Sequence, residues 1–293
     1  MKTYRYKKVD AFIGEHSFGN PAAYLRIEKD ILTEVQMLQI AREHKGFVSE
    51  VIFCQESDVA DVKLTYYSSE REVEFCGHGT IATMYDLMNE NEYLKQKCMV
   101  MVETNRKGIQ AVYNRLEEED AIYITAPDPI FYDTVPKSNE VAMALKISQE
   151  QILESNPIEI IDAGLKTLIV PFKEYTELIL VNPELEPLKK FCEDHEVDIV
   201  LVYCKQTSNE GFLAHTRVFA PRFGYLEDTA TGSGNSAFAN YLLKHKMWDG
   251  TVASIEQGGY QIPYNTVKIV QKDDRIWFGG KARVKIEGYY HLA

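Results

Sequence analysis

Short runs of apolar and β-branched residues recur along this chain, each closed off by charged residues, Gly or Pro. Residues 51–54, 62–67, 99–103, 121–125, 159–161, 167–170, 199–203 and 275–278 read as strands, and residues 282–286 as a closing one. Helical patterns are fewer. Thr33 and Gln36 make a capping box, with Val35, Leu38, Ala41 and Arg42 following at helical spacing. Ser148 and Gln151 open another helix in the same way. Residues 80–89 and 235–246 predict two longer helices, each entered through a glycine-rich turn.

Those two turns read like copies. One is Phe75-Cys76-Gly77-His78-Gly79-Thr80-Ile81-Ala82, the other Ala230-Thr231-Gly232-Ser233-Gly234-Asn235-Ser236-Ala237. They lie about half the chain apart, and Val9-Asp10-Ala11 and Ile161-Asp162-Ala163-Gly164 repeat at a similar offset. The pattern predicts a doubled unit, strands wrapped round one long helix, with halves 1–127 and 128–293 meeting near Pro127-Asp128-Pro129, and leaves open whether the last strand returns to the first half. A coincidence between glycine-rich turns is the alternative. No Ser/Gly-rich linker separates the halves, so they should pack tightly, with a small ligand between them. Glycines at a helix mouth let backbone N–H groups approach a ligand, and the helix end favours an anion. Two such ends suit a carboxylate.

Composition narrows the function. Of 293 residues 45% are hydrophobic, enough for a sizeable core, and the formal net charge is −12, spread along the chain. Nucleic acid or an anionic membrane, bound through a basic patch, is an improbable partner. Five cysteines without regular spacing argue against a disulfide framework. Neither C-x-x-C nor H-E-x-x-H is present, so no metal and no other cofactor is expected. The first residues lack the apolar run of a signal peptide, and no segment could span a bilayer, which predicts a cytoplasmic protein.

Several side chains suit proton chemistry. Glu50 stands between Phe47-Val48-Ser49 and Val51-Ile52-Phe53. A carboxyl among apolar groups has its charged form disfavoured, which moves its pKa toward the range of a general acid or base; a solvated strand-edge glutamate is the bland reading. His78, between two glycines, could relay a proton or serve the turn alone. Asp228 could orient a substrate or satisfy backbone donors ahead of a helix. Ser233 and the N–H groups of Gly232 and Gly234 could hold a carboxylate, as could Gly77 and Gly79. Asn20 suits a substrate hydrogen bond or a turn. Cys76 reads as a site thiol or a small buried hydrophobe. The fit of residues 232–237 to the dinucleotide fingerprint fails, because Glu227-Asp228-Thr229 precedes it rather than an apolar strand.

The chain resembles the phenazine-biosynthesis PhzF-like isomerases, a family related in fold to diaminopimelate epimerase and proline racemase. The match lies in Val9-Asp10-Ala11-Phe12 with Phe18-Gly19-Asn20-Pro21-Ala22-Ala23, in Ser49-Glu50, in Cys76-Gly77-His78-Gly79-Thr80, and in Glu227-Asp228-Thr229-Ala230-Thr231-Gly232-Ser233. The resemblance implies an α/β (α+β) protein of two pseudo-symmetric halves, each a barrel-like, mostly antiparallel sheet round a central helix. It implies a cofactor-free, metal-free isomerase, often a homodimer, acting on a small carboxylic acid. Glu50 would be its acid/base, with His78, Asp228 and Ser233 assisting. In the racemase relatives two cysteines face each other across the substrate. Cys76 holds the first position, but Thr231 holds the second and is too weak a base, so the two-thiol mechanism does not apply. Gly79 is nearer the racemase pattern than the Gly-His-Ala of PhzF-like chains. Two other functions stay open: a racemase or dehydratase using Cys76 and Thr231, and a non-catalytic binding protein.

Overall fold

The run 51–54 is apolar at every position because both of its faces are covered, as expected for a strand sandwiched between helices. The structure, a computed structural model, describes residues 2–28, 31–260 and 263–292. Contacts divide the chain into two compact units. The first holds residues 1–13, 18–124 and 279–293, the second 14–17 and 125–278.

The first unit contains β1 (Lys2–Ala11), β2 (Asn20–Ile27), α1 (Glu34–Glu43), β3 (Glu50–Gln55), β4 (Val62–Ser68), β5 (Glu72–Val73), α2 (Gly77–Glu90), α3 (Glu92–Lys95), β6 (Met99–Thr104), β7 (Gly108–Arg115) and α4 (Leu116–Glu119). β8 (Ala121–Thr125) ends it. The second runs through β9 (Ile130–Tyr132), α5 (Ser138–Leu145), β10 (Glu159–Asp162), β11 (Lys166–Pro171), α6 (Tyr175–Leu178), α7 (Leu185–Asp194), β12 (Ile199–Cys204), β13 (Ala214–Phe219), β14 (Glu227–Asp228), α8 (Gly232–Lys244), β15 (Ala253–Gln257) and β16 (Asn265–Lys272). The chain leaves it within β17 (Arg275–Gly280), and β18 (Ala282–Leu292) then runs antiparallel along the whole of β1, from Ala11↔Ala282 to Lys2↔Leu292.

The pairing pattern is the same twice. In the first unit β1–β2 is antiparallel, β2–β3 parallel, β3–β4 antiparallel, β4–β6 parallel and β6–β7 antiparallel, with short β5 on β4. In the second, β10–β11, β11–β12, β12–β13, β13–β15 and β15–β16 repeat that order, with short β14 on β13. The parallel steps need crossovers, and α1, α2 and α8 each lie within one. α2 packs on β1, β2, β3 and β18, and α8 on β10, β11, β12 and β16. Nine of the fourteen α2 residues and nine of the thirteen in α8 are buried, so both are central helices rather than amphipathic surface ones. Lys7 on β1 fixes α2 further: its buried ammonium lies 2.9 Å from Asp86, which also accepts from Tyr24.

Several local expectations change. Thr33 caps α1 as expected, but the buried residues are Met37, Ile40 and Ala41, while Val35 is exposed. The Ser148 box forms and opens only a single 3₁₀ turn, because Ile152 is extended and bridges Phe172. Both long helices begin three residues early, at Gly77 and Gly232. β1, β13, β16 and helix α7 lie where no apolar run marks them. Among the described residues no helix is long and apolar enough to cross a membrane.

Candidate active site

Strand alternation places Glu50. In β3 Val51 and Phe53 enter the core beneath α1, with Met37, Ile40 and Tyr67. Glu50 and Ile52 therefore point to the opposite face, toward α2. Ile52 marks how close that helix comes, since a Cβ on Gly79 would lie 2.8 Å from Ile52 Cδ1 and 2.9 Å from Cys76 Sγ. Gly79 lets the first turn of α2 settle onto β3, and Glu50, at the strand's start, reaches that helix end.

Three groups meet there. Cys76 Sγ lies 3.7 Å from Glu50 Oε2 and 3.5 Å from His78 Nδ1, and His78 Nε2 is 3.3 Å from Glu50 Oε2. Cys76 is the N-cap of α2 and its sulfur accepts from the Gly79 N–H at 3.3 Å. Thr80 Oγ1 donates to the Cys76 carbonyl and is bonded to the buried Tyr66 hydroxyl, which fixes the cap from below. The His78 and Glu50 side chains are 15% and 20% exposed, so the cluster is largely shielded from solvent. Burial pushes the His78 imidazole down to about 4, against a hydrogen bond with the Pro21 carbonyl that favours its proton. That shift favours the neutral ring at pH 7. Asn20, buried at the start of β2, precedes that Pro21.

The corresponding turn of the second unit is built differently. Thr231 is the N-cap of α8, but its side chain makes no cap bond. Its hydroxyl donates to Asp228 Oδ2 at 2.5 Å and receives Gln257 Nε2 at 3.2 Å. Gln257 Oε1 accepts from the Thr231 N–H at 3.0 Å and from Asn235 Nδ2 at 2.8 Å, and Gln257 Nε2 donates to the Asp228 carbonyl. One buried amide thus ties the acid, the cap and the helix together. Asp228 shares β14 with Glu227, whose carboxylate takes a two-pronged bond from Arg217 at 2.9 and 2.8 Å; Arg217 Nη1 donates to the carbonyls of Leu178, Ile179 and Val181. Gly232 packs on the Phe278 ring, and half-buried Ser233 follows in the same turn, ahead of Gly234. The amides of 232–234 begin the helix and have no intrahelical acceptor.

Glu50, Cys76, His78, Gly77 and Gly79 therefore share one helix mouth, and Asp228, Thr231, Gly232, Ser233 and Gly234 another. Gln257, Asn235 and the Arg217–Glu227 pair were not expected as supports of the second. Glu256 and Gln257 are both fully buried at the end of a strand, and no sequence pattern announces buried polar residues. Tyr67 and Phe219 belong to the cores under α1 and α7, and Phe223 is half exposed.

Comparison with known proteins bears on this arrangement. The model of the phenazine biosynthesis-like protein family matches residues 9–288. The uncharacterized isomerase YfhB of Bacillus subtilis is 30% identical over 262 residues, 88% of this chain and 87% of that one. The trans-2,3-dihydro-3-hydroxyanthranilate isomerase of Pseudomonas aeruginosa is 25% identical over 244 residues, 83% of this chain and 81% of that one. A crystal structure of the Bacillus anthracis phenazine biosynthesis protein of the PhzF family superposes with a TM-score of 0.88, at 26% identity over all of both chains. With its doubled topology and its two glycine-led helix mouths, this chain belongs to the phenazine biosynthesis-like family of PhzF-like isomerases.

Proposed function

We propose that the enzyme moves a proton within a small unsaturated carboxylic acid, and that Glu50 both takes and returns it. The observation that carries this reading is the 3.3 Å approach of Glu50 Oε2 to His78 Nε2 at the mouth of α2. Glu50 removes a proton from carbon, the electron pair delocalises into the conjugated acid, and the protonated Glu50 delivers the proton to another carbon on the same face. No hydride moves and no cofactor is consumed. His78 steadies the carboxyl group in whichever form it holds. Backbone N–H groups at a helix start stabilise the negative charge that develops on the substrate. Asp228 and Ser233, with Thr231, Gly232 and Gly234, are assigned to substrate orientation and carboxylate binding, and Asn20 to a substrate hydrogen bond. The reading also takes the protein to be a cytoplasmic homodimer, which sedimentation of the purified chain would check.

The test is proton exchange in heavy water followed by NMR. A dihydro-hydroxyanthranilate, the substrate class named for the Pseudomonas relative, is compared with proline, the hydroxyprolines and diaminopimelate. Wild type should exchange the cyclohexadiene acid and Glu50→Gln should not, with unchanged folding. Undiminished exchange by Glu50→Gln would sink the assignment. A second reading has one specific support, the Cys76 thiol within hydrogen-bond reach of both Glu50 and His78. There Cys76 is the base of a racemase or dehydratase. Exchange at an amino-acid α-carbon that survives Glu50→Gln and is lost in Cys76→Ser would select it. Exchange on none of these compounds would favour a binding protein.

A further inference from the structure

We propose that Glu50, Cys76 and His78 together form a three-ligand site for a thiophilic divalent cation, zinc first among them, whose occupancy reversibly shuts the site. Among the described residues this cluster alone brings three such donors within 4.8 Å of one another. Taking His78 Nε2 as the nitrogen ligand, the edges of the triangle are 3.3 Å to Glu50 Oε2 and 3.9 Å to Cys76 Sγ, with 3.7 Å between sulfur and oxygen. Zinc bonds of about 2.0–2.3 Å at tetrahedral angles put ligand atoms about 3.3–3.6 Å apart. The donor atoms stand at near-ligand separations, and because Sγ lies nearer His78 Nδ1, at 3.5 Å, than Nε2, a turn of the Cys76 or His78 side chain is what brings all three onto one ion.

The donor set is chemically selective. A thiolate, an imidazole and a carboxylate suit zinc, cobalt and cadmium, whereas magnesium and calcium prefer oxygen ligands alone. Three protein ligands leave a fourth position for water, the open arrangement of zinc sites that exchange ligands. The surroundings fit as well. The Pro21 carbonyl bonds the His78 ring, which is the outer contact that orients a ligating histidine. The Gly79 N–H already points at Cys76 Sγ, where it would support a thiolate. One thiolate and one carboxylate balance a divalent cation, so the positive end of α2 meets no net charge. The proton balance is simple: Cys76 releases one proton to solvent, and no electron moves. Cys76 and His78 flank Gly77, while Glu50 comes from a different strand, a combination that matches no sequence spacing for zinc.

Binding is independent of the proposed reaction; the shut-off rests on Glu50 being its base, because a metal-bound carboxylate cannot take a proton from carbon. Cobalt(II) is the probe, added to the full-length protein after treatment with chelator. The expected result is one equivalent bound, with a near-ultraviolet thiolate-to-cobalt band and the intense visible bands of four-coordinate cobalt, both bleached by zinc. Cys76→Ser should abolish the thiolate band, and Glu50→Gln should weaken binding at least tenfold while keeping the band. Cys98→Ser, at an exposed position outside the cluster, should change nothing. Zinc should stop heavy-water exchange and chelator should restore it. No thiolate band at saturating cobalt, or a band that persists in Cys76→Ser or vanishes in Cys98→Ser, overturns the proposal. The cobalt spectra would stand if the substrate assignment failed, and the Glu50→Gln exchange result would stand if the metal site failed.

Discussion

Gly232→Ala isolates the packing that holds the mouth of α8. A Cβ at residue 232 would lie 2.2 Å from Phe278 Cε2, 2.5 Å from Cδ2 and 3.0 Å from Cζ. Carbon atoms rest about 3.5–4.0 Å apart, so ring and helix must separate by more than about 1 Å. Phe278 is 3% exposed and rigid, which leaves the ring nowhere to turn. Overpacking of this kind costs about 1–3 kcal/mol and occasionally more. Alanine's helix preference over glycine returns at most about 1 kcal/mol, less at a first helical residue. The 2.2 Å approach puts the cost at the upper end of that range, so we expect a net loss of about 2 kcal/mol. Gly234→Ala is the matched control: its Cβ would meet Ile199 Cδ1 at 3.2 Å, the movable end of an aliphatic chain, and the change should lie within about 1 kcal/mol of neutral. Neither glycine has a positive φ, so backbone strain does not enter the comparison. Urea unfolding followed by tryptophan fluorescence reads the difference. The two tryptophans, Trp248 and Trp277, both belong to the second unit and report on it selectively. In a double-mutant cycle Phe278→Leu should relieve part of the Gly232→Ala loss, a coupling of about 1 kcal/mol or more. Equal stability of Gly232→Ala and Gly234→Ala, or a cycle with no coupling, would refute the reasoning.

Two further expectations concern the supports of the second helix mouth. Gln257→Leu strips the acceptor from the Thr231 N–H and Asn235 Nδ2, both within the buried core, and the donor from the part-buried Asp228 carbonyl. Unsatisfied buried groups cost about 1–3 kcal/mol each, so the variant should lose at least about 2 kcal/mol in the same fluorescence assay, and a neutral result would show that the amide carries no structural role. Arg217→Met leaves Glu227 charged and buried without its partner, which should cost about 3–5 kcal/mol. Replacing both, as Arg217→Met with Glu227→Met, should cost less than the single change; a larger loss would mean that the carbonyl bonds of Arg217, not its ion pair, dominate.

How much of this was legible in the sequence differs by level. The repeat of Cys76-Gly77-His78-Gly79 in Thr231-Gly232-Ser233-Gly234 was visible, because a helix entered by close backbone contact leaves glycines at set positions. From that repeat came the doubled architecture and the central helices, while Glu50 was nominated by its apolar flanks and by the family resemblance. Buried strands such as β3 and β12 were visible too, since a strand covered on both faces is written as an unbroken apolar run. Half-covered β1, with buried Lys7 and Asp10 among its residues, and charged α7 carried no such mark. The partner of the closing strand was not legible either, because pairing β18 with β1 depends on contacts across nearly the whole chain. The same limit applies to chemistry. Sequence alone nominated Glu50, Cys76 and His78 one by one, as residue types suited to proton transfer. Tertiary structure decided that they meet, because strand alternation turns Glu50 to the α2 face and Gly79 lets that helix approach. It also decided that Thr231, which stands where Cys76 stands in the first repeat, spends its hydroxyl proton on Asp228, since only the folded chain brings Gln257 and Asp228 around it.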